Sequence, residues 1–85
     1  MKKINTFAEV EIREISNPVI VIYSNLSDYP GHFVARVWDL DKPTEILMVK
    51  KDIHEIREDI KSNIPTAVRL PRAKNDDLCI VETWF

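Results

Sequence analysis

The hydrophobic positions along the chain fall into short runs separated by polar, turn-forming residues. The longest continuous run, residues 19–23, is β-branched or aromatic throughout and lies between Asn17-Pro18 and Ser24-Asn25. An apolar run of this length, bounded in this way, is typical of a strand that is covered on both faces. We therefore expect residues 19–23 to form the centre of a β-sheet.

The next segment predicts a β-hairpin. Pro30 and Gly31 suit the two central positions of a type II turn, where proline presets φ and glycine supplies a positive φ. Residues 33–38 then alternate as a strand does, and residues 45–49 are apolar enough for an antiparallel neighbour after a tight connection at residues 39–43. The alternation separates two sets of side chains, with Phe33, Ala35 and Val37 on one face and Val34, Arg36 and Trp38 on the other.

A helix is predicted over about residues 53–63. Asp52 is a good N-cap, Glu55 stands at the capping-box position, and Pro65 forces a stop near Asn63. One apolar stripe faces the core, and the opposite face is expected to be a solvated surface of mixed charge. The stripe comprises Ile53, Ile56 and Ile60, and the charged face comprises His54, Glu55, Arg57, Glu58, Asp59 and Lys61.

The sequence predicts the secondary structure of the carboxyl-terminal part of the chain more clearly than that of the amino-terminal part. Residues 67–70 and 78–84 indicate a pair of strands joined by a loop at residues 71–77. Residues 1–15 are ambiguous, because Thr6 and Glu9 fit a capping box whereas residues 8–13 alternate like a strand, the reading that we favour. The chain is thus predicted to be one α+β domain over residues 1–85, without a linker. Its fold is a single antiparallel sheet of four to six strands with one helix packed on one face.

The strand, hairpin strand and short capped helix of residues 33–62 resemble the layout of HicB-like antitoxin domains. The Pro-Gly-Cys turn and the following glycine of that family are absent from this sequence. The resemblance is therefore one of shape and assigns no residue a role.

Composition and charge exclude several classes of function. A single glycine, Gly31, excludes glycine-rich phosphate loops, and a single cysteine, Cys79, excludes an internal disulfide and a cysteine-pair zinc knuckle. The formal net charge of −2 is dispersed along the chain and gives no general attraction to nucleic acid or to anionic membranes. No apolar run approaches the ~20 residues of a membrane-spanning helix, and the first residues do not resemble a secretion signal. We expect a cytoplasmic protein.

Candidates for catalysis or metal binding are few. The side chains with nucleophilic or acid–base chemistry are those of His32, Cys79 and His54. We expect none of them to be catalytic: His32 begins a strand, Cys79 is a packed thiol, and His54 is exposed at the start of the helix. Asp39, Asp41 and Asp28 could share a hard cation if their loops converge, but turn chemistry alone explains aspartates at strand ends. We predict neither a metal nor a cofactor.

Two local features point instead to binding. Aromatic side chains cluster within sixteen residues, and Arg36 shares a strand face with Trp38, which on an uncovered sheet would form a stacking platform beside a cation. The alternative is that Phe33 and Trp38 fill the core. The second feature is a basic loop, although Asp76 and Asp77 follow it closely. The aromatic cluster contains Tyr23, Tyr29, His32, Phe33 and Trp38, and the basic loop contains Arg69, Arg72 and Lys74.

Three functions follow, in order of preference. A single helix covers one face of the sheet, while Val34, Trp38, Tyr23 and Trp84 are expected to place apolar surface on the other face. The first hypothesis is a small non-enzymatic interaction or regulatory module of bacterial or phage type. Through a sheet edge or the aromatic sheet face, it binds a second copy as a dimer or another protein. Its surface comprises Tyr29, His32, Arg36, Trp38, Trp84 and Phe85. The alternative is a nucleic-acid-binding domain that uses Tyr29, Arg36, Trp38, Arg69, Arg72 and Lys74. The third is a small hydrolase or transferase that uses His32 or Cys79.

Overall fold

A computed structural model describes residues 2–74 and 78–85. These residues form six strands, one α-helix and two short 3-10 helices. The strands are β1 (Lys2–Ile4), β2 (Pro18–Ser24), β3 (Phe33–Asp39), β4 (Lys42–Lys50), β5 (Arg69–Pro71) and β6 (Ile80–Trp84). The helix α1 is Ile53–Asn63, and the 3-10 helices are Phe7–Glu9 and Ile12–Glu14.

The six strands make one sheet in the order β1-β4-β3-β2-β6-β5. Every neighbouring pair is antiparallel except β1 and β4, which run parallel. The predicted α+β fold, with one helix packed on an antiparallel sheet, is confirmed, and the apolar run of residues 19–23 lies in one of its two central strands. Within the described residues, no helix is long and apolar enough to cross a membrane.

One face of the sheet, which we call the helix face, carries the main hydrophobic core. Ile20 lies opposite Val37, and Ile22 lies opposite Ala35, in the register of β2 and β3. Ile56 and Ile60 of α1 pack against these side chains and are fully buried. The apolar stripe of the helix and the face predicted for Phe33, Ala35 and Val37 are therefore both confirmed.

The helix begins and ends as predicted, but its polar side is not simply solvated. The Asp52 side chain accepts a hydrogen bond from the His54 backbone N–H. Asp59 accepts a hydrogen bond from the Thr6 hydroxyl at 2.6 Å and another from the Phe7 backbone N–H at 2.7 Å. The prediction that Asp59 lies on a free charged face is thus wrong, because its carboxylate binds the amino-terminal segment to α1.

The strand favoured for residues 8–13 is also wrong. The capping box of Thr6 and Glu9 is present and begins the first 3-10 helix, whereas the only strand of this segment is β1. Phe7 is fully buried and Ala8 is exposed, so the alternation that indicated a strand does not describe which side chains reach the core. The segment packs beside α1 and helps to cover the helix face.

Both predicted turns form, with one difference. Gly31 has φ of 73°, and the His32 N–H donates to the Tyr29 carbonyl at 3.3 Å, as a type II turn requires. The connection between β3 and β4 is tighter than expected, because Asp39 already pairs with Lys42 and only Leu40 and Asp41 lie between them. Leu40 takes a positive φ of 56° to close this hairpin.

Candidate interaction surface

The face of the sheet opposite α1, which we call the open face, carries two cross-strand rows of side chains. In the first row, each side chain lies opposite the next on the neighbouring strand. The row crosses five strands in the order Leu47, Arg36, Val21, Thr83 and Leu70. The second row runs through Pro43, Trp38 and Val19, which pair in the same way. Because neighbours in such rows touch, the open face is an apolar band interrupted by Arg36 and Thr83.

The band is partly accessible to solvent. Val19, Val21 and Trp38 are half-buried, and exposure increases toward the edge strand β5, where Leu70 is 43% exposed and the preceding Val68 is 59% exposed. Phe85 exchanges two backbone hydrogen bonds with Val68, of 2.7 and 3.1 Å, and is 57% exposed. Phe85 also lines a small crevice on the helix side, so it marks the rim between the two faces.

A loop covers the opposite end of the open face. The segment 25–32 folds over Val34 and Leu47, which are buried although neither belongs to the main core. The Tyr29 N–H donates to the Leu26 carbonyl at 2.9 Å, which holds the loop closed. Between loop and sheet lies a cavity of about 270 Å³ lined by Tyr23, Leu26, Asp28, Tyr29, Val34, Arg36 and Leu47.

Arg36 and Trp38 form the predicted cation–aromatic pair. The guanidinium carbon of Arg36 lies 6.0 Å from the centre of the Trp38 ring, and the Arg36 Nε donates to the Thr44 carbonyl at 3.1 Å. The Trp38 indole N–H is buried, and no described residue accepts a hydrogen bond from it. A buried donor without an acceptor is costly, so this N–H offsets part of the stability that Trp38 gains from burial.

The structure separates the six residues predicted for the interaction surface. Tyr29, Arg36 and Trp38 come together on the open face, and Phe85 lies at its rim. His32 is half-buried beside the turn, with Nδ1 2.9 Å from the Pro30 carbonyl oxygen. The expectation that Trp84 lies on the open face is wrong, because it pairs with Ile20 on the helix face and is 5% exposed.

The predicted basic loop is divided in a similar way. Arg69 extends to the helix face, where its Nη1 lies 3.5 Å from Glu82 Oε1. Arg72 and Lys74 are exposed, and Asp76 and Asp77 lie outside the described residues. Arg69, one of the cations of the nucleic-acid hypothesis, therefore does not share a surface with Arg36 and Trp38.

Sequence reasoning missed a buried charge on the helix face. Glu82 is 1% exposed and accepts hydrogen bonds from Arg57 Nη2 at 2.7 Å, Arg57 Nε at 3.2 Å and the Trp84 indole N–H at 2.7 Å. The prediction of a solvated Arg57 is wrong for this reason. A signal existed in the sequence, since Glu82 and Trp84 stand two residues apart in an apolar strand, and a core-facing carboxylate requires a cationic partner.

The surroundings of Glu82 keep it ionised. Burial raises the pKa of Glu82, but the hydrogen bonds from Arg57 and Trp84 and the charges of Arg57 and Arg69 outweigh burial and lower it. The hydrogen bond to Glu82 raises the pKa of Arg57, against the smaller effect of burial. The result is an ion pair beneath the outer side of α1 that favours the charged form of both groups.

The two residues of the hydrolase or transferase hypothesis, Cys79 and His32, lie just before different strands. Cys79 and His32 precede two strands that flank β2, which separates their backbones by about 10 Å at the usual strand spacing. Among the described residues, no three His, Cys, Asp or Glu side chains are grouped as a metal site would need. Comparisons with protein families, with curated proteins and with solved structures give no match.

Proposed function

We propose that the protein is a small non-enzymatic interaction module that binds through the open face, and that its partner is a second copy of the chain. The observation that carries this proposal is the apolar band of Val19, Val21, Trp38 and Leu70, which no described element covers. Apolar surface that is concentrated on one side of a small domain, with polar residues among it, favours an interaction site there. The cytoplasm remains the proposed location.

The domain is large enough to bind a second copy through this face. The two larger extents of the molecule are 29 and 26 Å, which set an upper limit to the open face close to the roughly 800 Å² that each partner buries in a stable interface. Arg36 and Asp28 both line the cavity at one end of the face, so charges of both signs are available there. A twofold interface needs a self-complementary surface of this kind.

Sedimentation of the protein over a range of concentrations tests the proposal. We expect a dimer with a Kd on the order of micromolar, and Val19→Lys should raise that Kd at least tenfold, because it places an ammonium in the apolar band. Leu78→Lys is the matched control, since Leu78 is already 87% exposed and precedes β6. It should leave the Kd within about twofold.

Two results would contradict the proposal. The first is a wild-type protein that stays monomeric at concentrations about 100-fold above that Kd. The second is a dimer that Val19→Lys does not weaken although circular dichroism shows it to be folded. The second result would show that the dimer interface lies on another surface, such as the β5 edge.

Nucleic-acid binding is the second candidate, because Arg36 lies 6.0 Å from the Trp38 ring and together they would offer one stacking position with a cation beside it. Quenching of tryptophan fluorescence by a single-stranded oligonucleotide tests it, since binding should weaken steeply with added salt. Binding that Arg36→Gln abolishes would favour this function, and absence of quenching at low salt would exclude it.

A further inference from the structure

A second candidate site lies on the helix face, away from the proposed interface. It is a groove between the outer side of α1 and the edge strand β5, with a volume of about 300 Å³. Its floor is Trp84, and its other lining residues are His54, Arg57, Glu58, Lys61 and Arg69. Most of its lining side chains are basic.

Buried Glu82 contacts both arginines of the groove from below. It binds Arg57 through Nε and Nη2, at 3.2 and 2.7 Å, and lies 3.5 Å from Arg69 Nη1. A long side chain that is already fixed loses less conformational freedom when it binds a ligand. The buried carboxylate therefore preorganises the Arg57 guanidinium and attracts that of Arg69, whose side chain is 50% exposed.

Each guanidinium retains donors that point to no other described residue. Arg57 uses Nε and Nη2 on Glu82, and its Nη1 makes no hydrogen bond within the described part of the chain. Arg69 uses only Nη1 there. Their side chains are 27% and 50% exposed, so these donors are accessible from the groove.

The charge of the groove is positive although the chain as a whole carries −2. Arg57 and Arg69 share the single carboxylate of Glu82, which leaves one positive charge. Lys61 and Glu58 approach each other at 4.0 Å and are both exposed, so their pairing is weak. A bound anion would meet the remaining donors of both guanidinium groups and the Lys61 ammonium, with the Glu58 carboxylate beside them.

We propose that this groove binds a phosphate group of a small molecule. Guanidinium forks match the oxygens of phosphate in pairs, and two of them with Lys61 favour a dianion over a single carboxylate. The groove is open and shallow, which suits a free phosphate or a small phosphate monoester. It lies on the face opposite the proposed dimer interface, so the two proposals stand or fail independently.

Nuclear magnetic resonance titration tests the proposal, because the two indole N–H signals report on opposite faces. With inorganic phosphate, the Trp84 signal should shift and saturate with a Kd on the order of 1 mM, while the Trp38 signal stays unchanged. Chloride at the same ionic strength should produce no saturable shift. Glycerol phosphate as a second ligand distinguishes a monoester site, which binds it more tightly than inorganic phosphate, from a site for the free ion.

Variants distinguish a phosphate site formed by specific contacts from a general electrostatic attraction of the protein for anions. Arg69→Gln and Lys61→Gln should each weaken phosphate binding by about tenfold, the loss of one charge-assisted contact. Arg13→Gln removes the same charge from the exposed second 3-10 helix and should change the Kd less than about twofold. Lys61 does not contact Glu82, so its variant tests the groove even if Arg69→Gln alters the fold.

The proposal is overturned if the Trp84 signal does not saturate with phosphate. It is also overturned if Arg13→Gln weakens binding as much as Lys61→Gln, because the attraction would then come from the general field of the protein.

Discussion

The two faces of the sheet are built from alternate residues of the same strands, yet they are covered in different ways. On the helix face, α1 and the amino-terminal segment cover the core, and the buried Glu82 has donors on both oxygens. On the open face, the loop of residues 25–32 is the only element within residues 2–74 and 78–85 that covers part of the surface, and the buried N–H of Trp38 has no described acceptor. The difference indicates that the helix face stabilises the domain, and it supports the proposal that the open face binds a partner.

The largest difference between the two faces is expected in the free energy of unfolding when a core residue is changed. Ile60→Ala leaves a cavity beneath α1 and should lower the free energy of unfolding by about 3 kcal/mol, within the usual range of about 2–5 kcal/mol for such changes. Val21→Ala on the open face should cost about 1 kcal/mol or less in the monomer, because Val21 is only half-buried. Urea unfolding at low protein concentration measures both, and equal losses would contradict the contrast between the faces.

A smaller effect is expected from the buried ion pair. Glu82→Gln leaves Arg57 without its counter-charge and should cost about 2 kcal/mol, less than the roughly 3–5 kcal/mol of a fully buried pair, since Arg57 is partly exposed. Glu58→Gln on the same side of the helix serves as the control and should change stability by less than about 0.5 kcal/mol. An unchanged urea midpoint in Glu82→Gln would show that the pair contributes nothing net.

The smallest effect is a dependence of stability on pH. The pKa of Glu82 is lower in the folded protein than in the unfolded chain, so the unfolded chain binds the proton first as pH falls. Its contribution is complete at pH values well above the ordinary glutamate pKa of about 4.3 and is lost as pH falls through the lower folded value. The stability difference between wild type and Glu82→Gln should therefore shrink with acidification, and a difference that grows would contradict the direction of the shift.

Much of the fold could be predicted because local patterns determine it. Three local patterns are each compatible with a single secondary structure. They are the apolar run of β2, the Pro30-Gly31 turn and the isoleucine stripe of α1. The strand β1 was missed because its residues, Lys2–Ile4, show no pattern, and its parallel pairing with β4 depends on the path of the whole chain.

The site was predicted less completely because it depends on which face each strand turns to the core. Arg36 and Trp38 could be placed together since they share one strand. Trp84 was placed on the wrong face, because it shares its face with the charged Glu82, and the contact with Arg57 that makes this face part of the core is not visible in β6 alone. The contact of Glu82 with Arg57 joins elements 25 residues apart, and no local rule connects them.

The most direct test of the open face as the binding surface is an isotope-filtered nuclear Overhauser measurement on a mixture of labelled and unlabelled protein. We expect contacts between copies at the methyl groups of Val19, Val21 and Leu70. Contacts that come instead from residues of the helix face, or the absence of contacts in a sample that sediments as a dimer, would contradict it.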